Sequence, residues 1–184
     1  MPLYYTGKGD NGDTSTIAGT RIPKCDLLVE ANGAIDELQA CIGVARSFQT
    51  SEEIDKFLKK VQEDLFIIGT NINSAGKKIP SLPDAKEEMT KNLEKAINGI
   101  SERLEPLDRF VLPSGSQSVA FLHLARAVCR RAERIVVGFS KENKINENVI
   151  PYMNRLSSLL FVLARYAAKI EGVKEEKWKG TGRR

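Results

Sequence analysis

The sequence predicts an all-α fold, a five-helix antiparallel bundle with ferritin-like up-down packing, and three observations predict it. Apolar residues beyond position 26 recur at spacings of three and four in five separate runs. Proline- and glycine-bearing polar stretches separate those runs, and the one short apolar segment between helices, Phe110-Val111-Leu112, is too brief for a core strand. With 184 residues and 41% apolar content the chain can bury a substantial core, most simply as one domain covering 1–184, with a distinct N-terminal segment at 1–24 and a tail at 173–184. No internal repeat or coiled-coil heptad is present.

Leu27, Leu28, Ala31, Ile35, Leu38, Ile42 and Ala45 form the apolar face of the first helix, entered from a segment containing Pro23. Thr50 and Glu53 have capping-box spacing ahead of Ile54, Phe57, Leu58, Val61, Leu65, Ile68 and Ile72, the clearest helical face of the set. Asp84 with Glu87 can start a third helix, more polar and therefore peripheral. Ser116 or Ser118 can open the fourth, whose stripe from Val119 to Val136 should end at Gly138. Asn148 before Val149 and Pro151 suits the start of the fifth, which Gly172 ends.

The N-terminal run Thr6-Gly7-Lys8-Gly9-Asp10-Asn11-Gly12-Asp13-Thr14 is the most informative stretch. Spaced glycines let a backbone turn tightly and direct several N–H groups at one anion, while Thr6, Thr14, Ser15, Thr16 and Lys8 can add hydroxyls and a charge. A polyphosphate is the natural guest. No Walker A spacing is present, and taken alone the loop also fits a glycine-rich terminus without a ligand.

On the fourth helix, Arg126, Arg130, Glu133 and Arg134 fall on one broad side. Guanidinium groups so placed repel one another unless carboxylates or an anionic ligand sit among them, and their forks suit phosphate oxygens; the same residues also fit a solvated helix face. Asp36 on the first helix could orient Arg126 if it points toward the fourth. Asn154 and Arg155 on the fifth bring an amide and another guanidinium, for a ribose or adenine edge or for ordinary interhelical bonding.

Several chemistries are excluded. A di-iron bundle needs Glu-x-x-His, but position 120 is Ala and His123 is the sole histidine, so it reads as a structural or pocket-edge group. No nucleophile elbow accompanies it. Cys25, Cys41 and Cys129 are odd in number and widely separated, the pattern of reduced thiols in a cytoplasmic protein. The net charge of +4 argues feebly for nucleic acid, and no apolar run is long enough for a membrane span. Trp178 among charged residues fits either base stacking or a tail docked by one aromatic anchor.

Taken in order, the glycine loop, Lys24, Gly33-Ala34-Ile35-Asp36-Glu37-Leu38, Phe110-Val111-Leu112-Pro113, the arginine run at 126–134 and Tyr152-Met153-Asn154-Arg155-Leu156-Ser157 resemble the PduO-type ATP:cob(I)alamin adenosyltransferases over 5–168. The resemblance implies a cobalamin-adenosyltransferase-like bundle associated as a homotrimer, with ATP at each subunit interface. It implies that Thr6, Gly7, Lys8, Gly9, Asp10, Gly12, Asp13 and Thr14 fold over the triphosphate beside Lys24, and that Arg130, Glu133 and Asn154, with Arg134 nearby, hold the nucleotide. Asp36 and Arg126 correspond to an intersubunit pair near the cobalamin, and Phe110 to an aromatic that displaces its lower axial ligand. The implied reaction transfers the 5′-deoxyadenosyl group of ATP to cob(I)alamin, giving adenosylcobalamin and triphosphate.

Such an enzyme needs no protein nucleophile, because reduced cobalamin supplies it. Mg²⁺ accompanies ATP through phosphate oxygens, with no protein ligand set for a metal. A flavoprotein reductase or a cobalamin-dependent acceptor enzyme is the implied protein partner, with no membrane or nucleic acid. This chain departs from the family pattern at Ser158, where an aspartate is more frequent, and at Ser114-Gly115 after Pro113. The alternatives are a noncatalytic ATP sensor or cobalamin chaperone using the same pocket, or an RNA-binding helical module using the basic tail at 179–184.

Overall fold

The computed structural model describes residues 4–49, 51–77 and 79–180. Two short strands, β1 (Asp13–Ser15) and β2 (Arg21–Pro23), precede five helices: α1 (Leu27–Ser47), α2 (Glu52–Asn73), α3 (Glu87–Ser101), α4 (Gln117–Ser140) and α5 (Val149–Ile170). The five-helix bundle is as the periodicity predicts; the antiparallel β1–β2 hairpin is an addition, with Thr14 opposite Ile22.

Around the core the helices run in the ring order α1, α2, α5, α4, each antiparallel to its neighbours, while α3 lies outside on α5. Contacts fix these directions. Phe48 stacks on Phe121 at one end of the α1–α4 pair and Glu37 meets Arg131 further along, so residue numbers run oppositely. Between α3 and α5, Glu94 meets Arg155 and Arg103 meets Tyr166, so this peripheral pair is parallel. The polar composition of α3 is satisfied by that position: it buries only Thr90, Leu93 and Ile100.

The core is an apolar stripe from each ring helix, with Leu38, Leu65, Leu122 and Leu160 fully enclosed. Truncating any one of these to alanine removes buried area and leaves a cavity, costing about 2–5 kcal/mol. Among the polar groups that reach this interior, the Tyr152 hydroxyl donates to Asp64 (3.2 Å), whose carboxylate is 2.9 Å from the Lys60 ammonium at the surface.

Helix ends follow local chemistry in some places and not in others. Asp26 accepts from the Leu28 N–H (2.8 Å) and Ser116 from the Val119 N–H (3.4 Å), which satisfies donors the first turn leaves open. Thr50 lies outside the described residues; Ser51 caps α2 through the Ile54 N–H. Asp84 does not cap α3, which begins after Lys86 without a side-chain cap. Asn148 precedes α5, but its side chain donates to the Ala85 carbonyl, tying two connections together instead of capping. Gly138 lies inside α4, which continues to Ser140. Gly172 does end α5: with φ of 66° it lets the Val173 N–H reach back to the Ala168 carbonyl (2.8 Å) and its own N–H to Lys169, a Schellman turn. No helix among the described residues is long and apolar enough to cross a membrane.

Candidate functional site

The glycine run folds as successive tight turns. Gly7 and Gly12 have φ of 68° and 87°, in the left-handed region that disfavours side chains. The Asp10 N–H donates to the Gly7 carbonyl and the Gly12 N–H to Gly9. The Lys24 N–H donates to the Gly12 carbonyl (2.8 Å), and its ammonium lies over Gly9. Arg21 donates to the Lys8 carbonyl (2.8 Å) and so braces the loop against β2. At the hairpin tip, the Ile17 N–H donates to the Asn73 side chain (2.7 Å) at the end of α2. Thr6, Gly7, Lys8, Asp10 and Gly12 are exposed, and Gly9, Asp13 and Thr14 are half-buried.

Asp36 lies beside this hairpin. It lines an open groove of about 520 Å³ with Ser15, Thr16, Ile17 and the exposed Phe66. Among the described residues it makes no ion pair with Arg126 within the chain. The α1 carboxylate that reaches α4 is Glu37, paired with Arg131, whose direction on the helix differs from that of Arg126.

A second cleft, of about 570 Å³, opens between α4, α5 and the segment before α4. Arg126, Arg130 and His123 enter it from α4, Ser157, Ser158 and Phe161 from α5, and Phe110 with Arg109 from the connecting segment. Arg126 is half-buried, its guanidinium 6.0 Å from the Phe161 ring centre and its Nε without a partner. Burial and then Arg130 pull its pKa below the ordinary guanidinium value. Three cationic side chains, Arg109, Arg126 and Arg130, therefore line one cavity with no carboxylate among the lining residues, and Ser158 stands in that lining. An arrangement of this kind is stabilised by an anionic occupant.

Alongside the cleft, Asn154 donates to Glu133 (3.0 Å) and accepts from Arg155 (2.7 Å), which in turn donates to Glu94 (2.9 Å). Arg134 is exposed. The structure thus gathers the predicted residues into three groups: the glycine loop with Lys24, the hairpin groove with Asp36, and the Phe110/Arg126/Arg130 cleft with Glu133 and Asn154 adjoining. No cleft described here is shared by the loop and the arginines.

Residues 4–167 match the family model of the cobalamin adenosyltransferases. The chain belongs to the cobalamin adenosyltransferase family. It is 40% identical to the corrinoid adenosyltransferase MMAB of Mus musculus over 97% of this chain and 78% of that protein. It is 36% identical to a corrinoid adenosyltransferase of Citrobacter freundii over 90% of this chain and 94% of the relative. Among solved structures, a phenylalanine-to-histidine variant of the PduO-type ATP:corrinoid adenosyltransferase of Lactobacillus reuteri, complexed with cobalamin and ATP, superposes with a TM-score of 0.91 at 32% identity, covering 97% of each chain.

For a cobalamin adenosyltransferase the sequence signals were uneven. Arginine spacing on α4 placed Arg126 and Arg130 together, whereas Phe161 went unnoticed although it lies seven residues after Asn154 and so returns to the same helical face. Arg109 carries no periodic signal, since it sits in an irregular segment.

Proposed function

We propose that ATP and cobalamin are held by two surfaces of this chain that meet between copies in a homotrimer, the glycine loop and Asp36 of one protomer closing over the arginine cleft of the next. The activity is ATP-dependent adenosylation of cobalamin. The observation that carries the site assignment is the pair Arg126, itself partly desolvated, and Arg130, lining the same cavity as Phe110 with no carboxylate among the lining residues.

In this reading, Lys8, Lys24 and the loop N–H groups receive the triphosphate, and Arg130, Glu133 and Asn154 hold the remainder of the nucleotide. Asp36 pairs with Arg126 across the interface. Mg²⁺ accompanies ATP, bound through the phosphate oxygens. The Co(I) electron pair forms the bond to the ribose C5′ while the C5′–O bond breaks, and triphosphate departs with the electron pair of that broken bond. The protein aligns C5′ with cobalt, excludes water and stabilises charge on the leaving group. Phe110 crowds the lower axial face of the corrin and so favours a four-coordinate Co(II) that is easier to reduce.

The test is an anaerobic assay of the purified chain with ATP, Mg²⁺ and chemically reduced cobalamin, following loss of Co(I) and formation of the Co–C product. Turnover is expected, with Arg130→Ala raising the KM for ATP at least about tenfold. Binding of both substrates without any Co–C product would identify a sensor or chaperone instead.

A further inference from the structure

Past the turn at Gly172 the chain returns as an extended strap over 173–178 and pairs antiparallel with the segment that carries Phe110. The Leu112 N–H donates to the Glu176 carbonyl (2.8 Å), the Trp178 N–H donates to the Phe110 carbonyl (2.9 Å), and Val111 lies opposite Lys177. Side chains fix the strap along its length. Arg165 donates twice to Glu175 (2.8 and 3.1 Å) from a site where its side chain is only 10% exposed. Lys177 meets Asp108, and Ser114 donates to Glu176 (3.3 Å).

This pairing delivers Trp178 to Phe110. The two rings meet edge to face, with centroids 6.4 Å apart and planes at 62°. Phe110 is 50% exposed and Trp178 47%, so neither ring is fixed by enclosure in the core. Gly180 also packs against the indole: a Cβ there would lie 2.1 Å from an indole carbon. The indole thus touches both Gly180 and Phe110, while Phe110 itself lines the arginine cleft and Trp178 does not.

We propose that Trp178 is a positioning residue for the cobalamin step, holding the Phe110 ring at the angle from which it crowds the lower face of the corrin. This rests on the role given to Phe110 under the proposed function. A ring that acts by steric exclusion loses effect when it can swing away, and a displacement on the ångström scale is sufficient. Trp178 makes no contact with substrate in this role, so its removal should spare the transfer step and weaken the step that precedes it.

The experiment compares wild type, Trp178→Ala, Trp178→Phe and Gly180→Ala as full chains in two anaerobic assays. One starts from cobalamin already reduced to Co(I) by excess chemical reductant; the other starts from Co(II) with dihydroflavin as the one-electron donor. Trp178→Ala is expected to lose about tenfold in the Co(II) assay and to stay within about twofold of wild type in the Co(I) assay. Bound Co(II)cobalamin should lose its four-coordinate signature in magnetic circular dichroism, and Trp178→Phe should restore both readouts. Gly180→Ala displaces the indole without removing it and should show the same split, which keeps the test intact should Trp178→Ala fold poorly. Equal losses in both assays, or no loss in either, overturn the positioning role. Absence of Co–C product from wild type in the Co(I) assay overturns the underlying function, a different result from a wild type that turns over beside variants without the split.

Discussion

Asn154 on α5 and Glu133 on α4 are joined by a 3.0 Å hydrogen bond, and the same amide accepts from Arg155 at 2.7 Å, so its orientation is fixed from both sides. An amide held this way cannot rotate to suit a passing ligand. It presents one geometry beside the arginine cleft.

Asn154→Ala removes that fixed geometry and leaves Glu133 without its α5 partner. The expected result is a KM for ATP raised about tenfold, with kcat for Co(I) within about threefold of wild type. Because the pair is exposed, the stability change should stay below about 1 kcal/mol in urea unfolding. A large loss of stability with unchanged KM would mean that the bond is purely structural.

Mixed assemblies test whether the site is divided between copies. Asp36→Ala and Arg130→Ala should each be poorly active alone. Co-expressed and co-purified, they should recover a substantial fraction of wild-type turnover, because some interfaces then pair an intact hairpin side with an intact arginine side. Failure of any mixture to exceed the separate variants argues for a site contained in one chain.

His123 makes stability depend on pH. It is buried, its Nδ1 has no partner, and burial first and Arg126 second lower its pKa below the usual 6.5, with Glu175 acting weakly the other way. The unfolded chain takes up this proton near the ordinary value and the folded chain only at lower pH. Stability is therefore present above the ordinary value and is lost as pH falls toward the folded one. Urea midpoints at about pH 7.5 and about pH 5.5 should fall more for wild type than for His123→Gln.

Gly76 carries a turn that no other residue fits. Its φ is 75°, and a Cβ would lie 2.6 Å from the Lys144 carbonyl oxygen. Gly76→Ala should destabilise the fold by about 2 kcal/mol or more, read as a lower urea midpoint at constant slope.

Much of this architecture was legible because a helix that buries one face must repeat at three and four residues, and all five do so. The Ser116 cap was legible for the same reason: a cap is a local interaction. Asn148 misled because its side chain is claimed by Ala85, far away in sequence. The β1–β2 hairpin was illegible: its strands are three residues long, and its tip is anchored by Asn73, fifty-six positions from Ile17. In the site, helical spacing revealed Arg126 and Arg130. Phe110 in the same lining follows no helical spacing and was marked only by the family resemblance, because backbone pairing with the strap places it, a contact between segments that share no period.

The ring order of the helices has a kinetic consequence. Only α1–α2 and α4–α5 are neighbours both in sequence and in space, so each can collapse early as a helical hairpin with a small loop-closure cost. The α1–α4 and α2–α5 seams join after the intervening chain, α3 included, has been drawn together. Docking of two preformed hairpins is then the slow event, and mutations along the α1–α4 seam should retard refolding more than mutations within either hairpin do.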